Sequence, residues 1–143
     1  MNKILSGIFA CLCATANVHA QSNAQGPVAT PAGALQFVRD DRDYVATLER
    51  QIFDRFDAKS LEHFDAPLDA NGTLTLTLVQ TESGPVLYYF RRNPPLVQRT
   101  GKGMTVRRVF WQGDEVVIQG SQGWYRFQRG TLTKLQASTT TYH

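Results

Sequence analysis

The chain has 143 residues, a mass of 16.0 kDa and a formal net charge of +3 at pH 7. Hydrophobic residues make up 42% of the sequence and charged residues 19%, a balance that excludes both an intrinsically disordered chain and a bundle of membrane-spanning helices. A chain of this length allows one domain and leaves little room for a second.

The first twenty residues have the three parts of a secretory signal peptide. Lys3 supplies the positive start, residues 4–16 form a mostly apolar run, and Val18-His19-Ala20 provides the cleavage site. The apolar run of about 13 residues is shorter than the roughly 20 that a membrane-spanning helix needs. We therefore expect a cleaved signal peptide over residues 1–20, a cut after Ala20, and a periplasmic or secreted protein without a transmembrane segment.

Both cysteines, Cys11 and Cys13, lie inside this apolar run. Cleavage after Ala20 leaves the mature chain without a disulfide, a thiol nucleophile or a thiolate metal site. A lipoprotein cleaved before Cys11 is the less favoured alternative, because the bulky Phe9 stands where a small residue is required. The short positive start and the absence of a disulfide framework favour the bacterial periplasm, with secretion as the second possibility.

The mature chain begins with a predicted linker and a predicted helix. Residues 21–39 start with a stretch rich in Gln, Asn, Ala, Gly and Pro, which predicts a flexible linker. The predicted helix runs from Asp40 to about Ala58, and carboxylates in its first turn suit the helix dipole. Its apolar residues recur at the three- and four-residue spacing of one helical face: Tyr44, Val45, Leu48, Ile52 and Phe56.

The pattern changes to a period of two at Thr73, where leucines alternate with threonines as far as Leu78. Residues 93–103 contain adjacent prolines and Gly101-Lys102-Gly103, so they predict a loop. The short turns between the remaining segments favour antiparallel pairing. Those segments predict further strands at 86–92, 105–111, 115–119, 124–128 and 131–135.

These patterns predict an α+β fold, in which one N-terminal amphipathic helix packs on an antiparallel meander of about six strands. The single domain would cover residues 40–136, and residues 137–143 would form a C-terminal tail. A small, partly closed β-barrel or roll is the alternative, because strongly twisted sheets can curl. In the α+β fold the helix would dock on the sheet through Val45, Leu48, Ile52 and Phe56.

The sequence contains no recognisable catalytic set. Ser121 lacks the glycine that a nucleophile elbow needs two residues earlier, where Gln119 stands. His63 and Asp65 are two positions apart, and such residues seldom face each other on a helix, so we expect an exposed His63 near a helix end. We assign no catalytic residue and no cofactor, and we expect the protein not to be an enzyme.

Metal and nucleotide sites are also unsupported. The acidic segments 41–43 and 65–72 lack the alternating oxygen ligands and the closing Glu of an EF-hand. Helix capping and turn formation account for both segments. Gly101-Lys102-Gly103 lacks the upstream glycine and the hydroxyl residue of a phosphate loop. We therefore assign no metal site.

Positive charge is concentrated in the second half. Residues 21–70 carry five basic and nine acidic side chains, whereas residues 71–143 carry nine basic and three acidic ones. Strand alternation turns Trp124 and Arg126 outward if Tyr125 points to the core. A candidate binding surface is assigned to Arg91, Arg107, Arg108, Trp124 and Arg126. Alternation prevents all five from sharing one flat face, and a solvated face in which Arg stems cover apolar surface is the competing interpretation.

We expect a non-enzymatic exported binding module, or an accessory subunit of an envelope assembly. Its partner would be another envelope protein or, as a second choice, an anionic glycan; nucleic acid is disfavoured by the compartment. One alternative is a periplasmic inhibitor or immunity protein of an envelope-acting enzyme. Another is a small hydrolase of an envelope polymer, which needs two converging carboxylates. Its candidate residues are Glu62, Asp65, Asp114 and Glu115.

Overall fold

The computed structural model describes residues 21–135. All regular elements in this range are β-strands, and they form three antiparallel sheets. The signal peptide predicted over residues 1–20 and the tail predicted over 137–143 lie outside the described residues. No helix in the described range is long and apolar enough to cross a lipid bilayer.

Each sheet is built mainly from strands that are consecutive in the chain. The first sheet has the order β2 (Val28–Thr30), β3 (Gly33–Asp40), β4 (Asp43–Leu48), β5 (Gln51–Asp57). The central sheet has the order β1 (Gln21–Ser22), β6 (His63–Asp65), β7 (Leu76–Val79), β8 (Val86–Tyr89), β9 (Leu96–Arg99). The C-terminal sheet has the order β10 (Val106–Gln112), β11 (Glu115–Gly120), β12 (Gly123–Gln128), β13 (Thr131–Lys134).

The central sheet is covered on both faces. One core cluster joins it to the first sheet and includes Phe37, Tyr44, Phe56, Val86, Tyr88 and Phe90. A second cluster joins it to the C-terminal sheet and includes Phe64, Leu78, Leu87, Trp111, Ile118 and Phe127. All four residues of β7 are therefore buried, including Thr77, whose hydroxyl donates to Asp65 Oδ1 at 2.6 Å and lies 3.2 Å from Phe64 O. Such burial on both faces explains why this strand lacks a polar outer face.

The predicted α+β fold is wrong, because the described residues contain no N-terminal helix. Residues 40–58 instead form the end of β3, the strands β4 and β5, and the turns between them. The turns place Asp41, Glu49 and Arg50 at φ values of 62°, 50° and 73°. None of them is glycine or proline, so the sequence contains no strong turn-forming residue at which the helical pattern would be expected to end.

The apolar pattern of this segment fits strands as well as a helix. Tyr44, Ala46 and Leu48 alternate along β4 and join the core cluster, Val45 and Thr47 between them are buried as well, and Ile52 is 59% exposed. The predicted docking face of Val45, Leu48, Ile52 and Phe56 is therefore also wrong. Because the described strands form three separate sheets, the alternative of one partly closed barrel is wrong as well.

The remaining sequence predictions have mixed outcomes. Residues 21–39, expected to be a flexible linker, contribute β1, β2 and most of β3. The loop expected over 93–103 contains β9. The strands predicted at 105–111, 115–119, 124–128 and 131–135 are confirmed, with small differences at their ends, as β10 to β13. The antiparallel pairing predicted for them is also confirmed.

Candidate functional site

The outer side of the C-terminal sheet carries a compact group of aromatic and arginine side chains. Alternate residues of β10 to β12, such as Val109, Ile118 and Tyr125, point into the core, so the residues between them face outward. We call this outward group the aromatic–arginine face, and it consists of Arg108, Phe110, Val117, Gln119, Trp124 and Arg126.

Strand register arranges the aromatic–arginine face in two rows. Arg108 pairs with Gln119, which pairs with Trp124 on the next strand. In the adjacent row, Phe110 pairs with Val117, which pairs with Arg126. Residues that are paired across antiparallel strands have neighbouring side chains on the same face. Each row therefore combines an arginine with an aromatic ring at its far end.

The two aromatic rings reach across the strand that separates them. The ring centroids of Phe110 and Trp124 are 5.8 Å apart with an interplanar angle of 31°, although the residues lie on β10 and β12. Trp124 is still 40% exposed. A large aromatic side chain is thus held in place by a neighbouring ring while part of its surface faces solvent, which is typical of recognition surfaces.

Arg108 lies close to one ring of this pair, Phe110. Its guanidinium carbon lies 5.9 Å from the ring centroid of Phe110, and its Nε donates a hydrogen bond to Gln119 Oε1 at 2.9 Å. The contact with the ring fits a cation–π interaction. Because only Nε is engaged in that hydrogen bond, the two terminal nitrogens of the guanidinium are oriented as a fork that suits carboxylate or phosphate groups.

Arg126 is fixed by an ion pair of its own. Its Nε donates to Glu115 Oε2 at 2.6 Å. Since the arginine side chain is about half exposed, this pair contributes little to stability. It orients Arg126 and offsets part of its charge, so Arg108 and its neighbour Arg107 are the stronger candidates for an anionic ligand.

A β-bulge explains why Arg107 and Arg108 are both exposed. The pairing of β10 with β11 shifts register between Val106 and Arg108, and both arginines face solvent while Val106 and Val109 are buried. A bulge inserts an extra residue and redirects the side chains next to it. Strand alternation alone would have placed the two arginines on opposite faces.

The five residues predicted for the binding surface are only partly brought together. Arg108, Trp124 and Arg126 share the aromatic–arginine face, and Arg107 adjoins it at the bulge. Arg91 follows β8 of the central sheet, where its guanidinium lies 3.9 Å from Asp69 Oδ2. Sequence reasoning missed Gln119, Val117 and Glu115, because their position depends on the pairing of β11 with its two neighbours.

His63 is not the exposed helix-end residue that the sequence predicted. It is 2% exposed and lies on β6. Its Nδ1 is 2.7 Å from Asp65 Oδ1, and its Nε2 is 2.7 Å from the Ala24 carbonyl oxygen. The residues at i and i+2 of a strand share a face, which explains the contact with Asp65. Both ring nitrogens are occupied by protein atoms and are shielded from any substrate.

The four carboxylates considered for a hydrolase are dispersed among different environments. Asp65 is engaged by His63, and Glu115 is engaged by Arg126. Glu62 lines a polar cleft of about 430 Å³ together with Lys59, Ser60, Glu82 and Ser121. Asp114 lines a separate cavity of about 150 Å³ beside Arg129. This arrangement does not pair any two of the four candidates in one of these cavities.

The acidic segment at 65–72 serves the fold. Asp69 Oδ1 accepts hydrogen bonds from the backbone N–H groups of Asn71 and Thr73 at 2.9 Å, and its Oδ2 accepts one from the Thr73 hydroxyl at 2.8 Å. The hydrogen bonds from Thr73 hold the pKa of Asp69 below its ordinary value. Across residues 21–135, no group of three or more His, Cys, Asp or Glu residues is placed to hold a metal ion.

Comparisons with known proteins give no information about the aromatic–arginine face. No family model matches the chain, and neither the curated proteins nor the solved structures yield a match.

Proposed function

We propose that the protein is a non-enzymatic exported binding module that recognises an anionic partner in the cell envelope through the aromatic–arginine face. The observation that carries the proposal is the exposed Trp124, which packs against Phe110, a ring that also lies 5.9 Å from the guanidinium carbon of Arg108. Tryptophan, tyrosine and arginine are the residue types that most often dominate binding energy. The module would act as an accessory subunit of an envelope assembly.

The charge distribution favours an anionic partner. Residues 71–143 carry nine basic and three acidic side chains, and two of those acidic residues, Asp114 and Glu115, lie at the turn of the C-terminal sheet opposite the bulge. Arg107 and Arg108 stand together at the other end of β10. An excess of positive charge at one end of a surface steers anionic partners and sets their orientation.

The dimensions of the face favour an extended partner over a broad protein surface. Three strands spaced about 4.8 Å apart, with six or seven residues each, give an area of roughly 300 Å². A stable complex of two folded proteins buries about 800 Å² on each partner. A single segment of an envelope protein or a strand of anionic glycan fits this area better.

Site-specific photocrosslinking in cells tests the proposal. A photoreactive amino acid at Thr133, which pairs with Arg126 at the margin of the aromatic–arginine face, should give one discrete crosslinked product. The matched control places the same amino acid at Val38, which is 43% exposed on the first sheet, and it should give none. Protease and glycosidase sensitivity of the product then separates a protein segment from a glycan. Equal products from both positions, or none from Thr133, would refute the proposal.

A further inference from the structure

Segment 21–25, the first of the described residues, is hydrogen-bonded to two sheets. Gln21 and Ser22 pair with Phe64 and His63 at the edge of the central sheet. Three residues later, the Gln25 carbonyl oxygen accepts a hydrogen bond from the backbone N–H of Phe37 on β3, at 2.7 Å. Between these two attachments lies Ala24, whose carbonyl oxygen faces the buried ring of His63.

His63 has an acceptor at each of its ring nitrogens. The Ala24 carbonyl oxygen carries no proton, and Asp65 Oδ1 already accepts a hydrogen bond from the Thr77 hydroxyl at 2.6 Å. A neutral imidazole has one N–H, so either tautomer would leave a ring lone pair facing an oxygen at 2.7 Å. The imidazolium form has two N–H groups and satisfies both acceptors.

We propose that His63 is a protonation-controlled latch: its imidazolium form holds segment 21–25 against the central sheet, and loss of the proton releases the segment. Release would separate β1 from β6 and leave the β6 edge of the central sheet without its neighbouring strand. The latch uses none of the residues of the aromatic–arginine face, so it stands whether or not that face binds a partner.

The surroundings of His63 leave Asp65 as the titratable group in direct contact with the ring. The neighbouring strands present Ser22 on β1, Val79 on β7 and the ring of Phe37 on β3, and none of these titrates. Glu62 and Tyr44 line a groove of about 270 Å³ beside segment 21–25.

The balance of forces on the ring supports the protonated form. Burial lowers the pKa of His63, but the hydrogen bond and negative charge of Asp65, together with the Ala24 carbonyl, raise the pKa above its ordinary value of 6.5. The segment should therefore be docked at pH 6.5 and below, and it should be released as the pH rises through the folded-state pKa.

A pH titration followed by NMR tests the latch on the intact protein. The nitrogen shifts of the His63 ring report its protonation, and the amide of Phe37 reports docking because its acceptor is Gln25 on the segment. We expect hydrogen-exchange protection of the Phe37 amide to fall by about tenfold or more, since a hydrogen bond to a charged group is lost. The fall should share its midpoint with the His63 titration. The amide of Glu49, which donates to Ala34 O within the first sheet, is the control and should keep its protection.

A variant separates the latch from general effects of pH. His63→Gln has no titrating proton, so Phe37 protection in this variant should not change between about pH 6 and pH 9. If His63→Gln fails to fold, the titration of the unmodified protein decides alone. Protection of the Phe37 amide that persists through the complete deprotonation of His63 would overturn the proposal, and so would a neutral His63 ring at pH 6 with the segment docked.

Discussion

The hydroxyl group of Tyr88 on β8 donates a hydrogen bond to Asp54 Oδ2 on β5, at a distance of 2.6 Å. This contact ties the central sheet to the first sheet. Arg99 binds the other carboxylate oxygen of Asp54 at 2.8 Å. Burial and the negative charge of Asp54 raise the pKa of Tyr88 well above its ordinary value, so the phenol remains a neutral donor at physiological pH.

Substitution of Asp54 should leave the buried hydroxyl group of Tyr88 without its hydrogen-bond acceptor. We expect Asp54→Ala to lower the free energy of unfolding by about 1–3 kcal/mol, which is the usual cost of an unsatisfied buried polar group. Asp43→Ala is the control, because Asp43 pairs with the exposed Arg55, and its effect should be much smaller. Urea denaturation measures both variants. Equal losses would mean that the Tyr88–Asp54 contact does not stabilise the packing of the two sheets.

Phe56 and Ile52 lie on the same strand but differ in burial. Phe56 is buried against the rings of Phe37 and Tyr44, whereas Ile52 is 59% exposed. Phe56→Ala should therefore cost about 3–5 kcal/mol of unfolding free energy, and Ile52→Ala should cost less than about 1 kcal/mol. Denaturant melts of the two variants provide the comparison. A helix over residues 40–58 would bury both residues on one face and would make both substitutions costly.

The raised pKa of His63 predicts how stability depends on pH. A group whose folded-state pKa is raised binds its proton more tightly in the folded state, so stability falls as the pH increases. The contribution of protonated His63 to the free energy of unfolding should be complete below pH 6.5. It should disappear as the pH rises through the folded-state pKa of His63. Denaturation between about pH 6 and pH 9 should show this loss in the unmodified protein. Asp65→Asn should remove much of it, and a pH dependence equal to that of the unmodified protein would contradict the role of Asp65.

Export predicts the first residue of the mature protein. The positive Lys3, the apolar run over residues 4–16 and the small Ala20 form the signal pattern. The mature chain in the bacterial envelope should begin at Gln21, and intact-mass measurement of the purified protein should show the corresponding loss of residues 1–20. Detection of a chain that retains Met1 in the cytosol alone would contradict export.

The sequence predicted the C-terminal sheet far better than the first sheet. Gly113 and Gly130 sit at positive φ in the hairpin turns of the C-terminal sheet, so its strands were bounded by visible signals. The β3–β4 and β4–β5 turns of the first sheet use Asp41, Glu49 and Arg50, none of which is a glycine or proline that would end a helical pattern. The spacing of Tyr44, Leu48 and Phe56 fits both the helical period of 3.6 residues and the strand period of two. Packing in the core cluster selects the strands. The strand β9 was missed because adjacent prolines precede it.

Within the candidate site, the sequence predicts only which side chains of a single strand share a face. The sequence Trp124-Tyr125-Arg126 indicates which side chains share a face. The exposure of both Arg107 and Arg108 depends on a bulge, and the contact between Phe110 and Trp124 depends on the register of three strands. The burial of His63 likewise follows from its place between β1 and β7, which local sequence does not encode.

The affinity of the Trp124→Ala variant tests directly whether the aromatic–arginine face binds a partner. The binding partner is the component recovered by crosslinking at Thr133, and its affinity is measured for the unmodified protein, for Trp124→Ala and for the exposed control Ile52→Ala. We expect Trp124→Ala to lose about 2 kcal/mol or more of binding free energy, while its free energy of unfolding stays close to that of the unmodified protein because Trp124 is 40% exposed. Arg108→Ala should weaken binding most at low salt. Unchanged affinity in Trp124→Ala would contradict the account, and the aromatic–arginine face would then be an ordinary solvated surface.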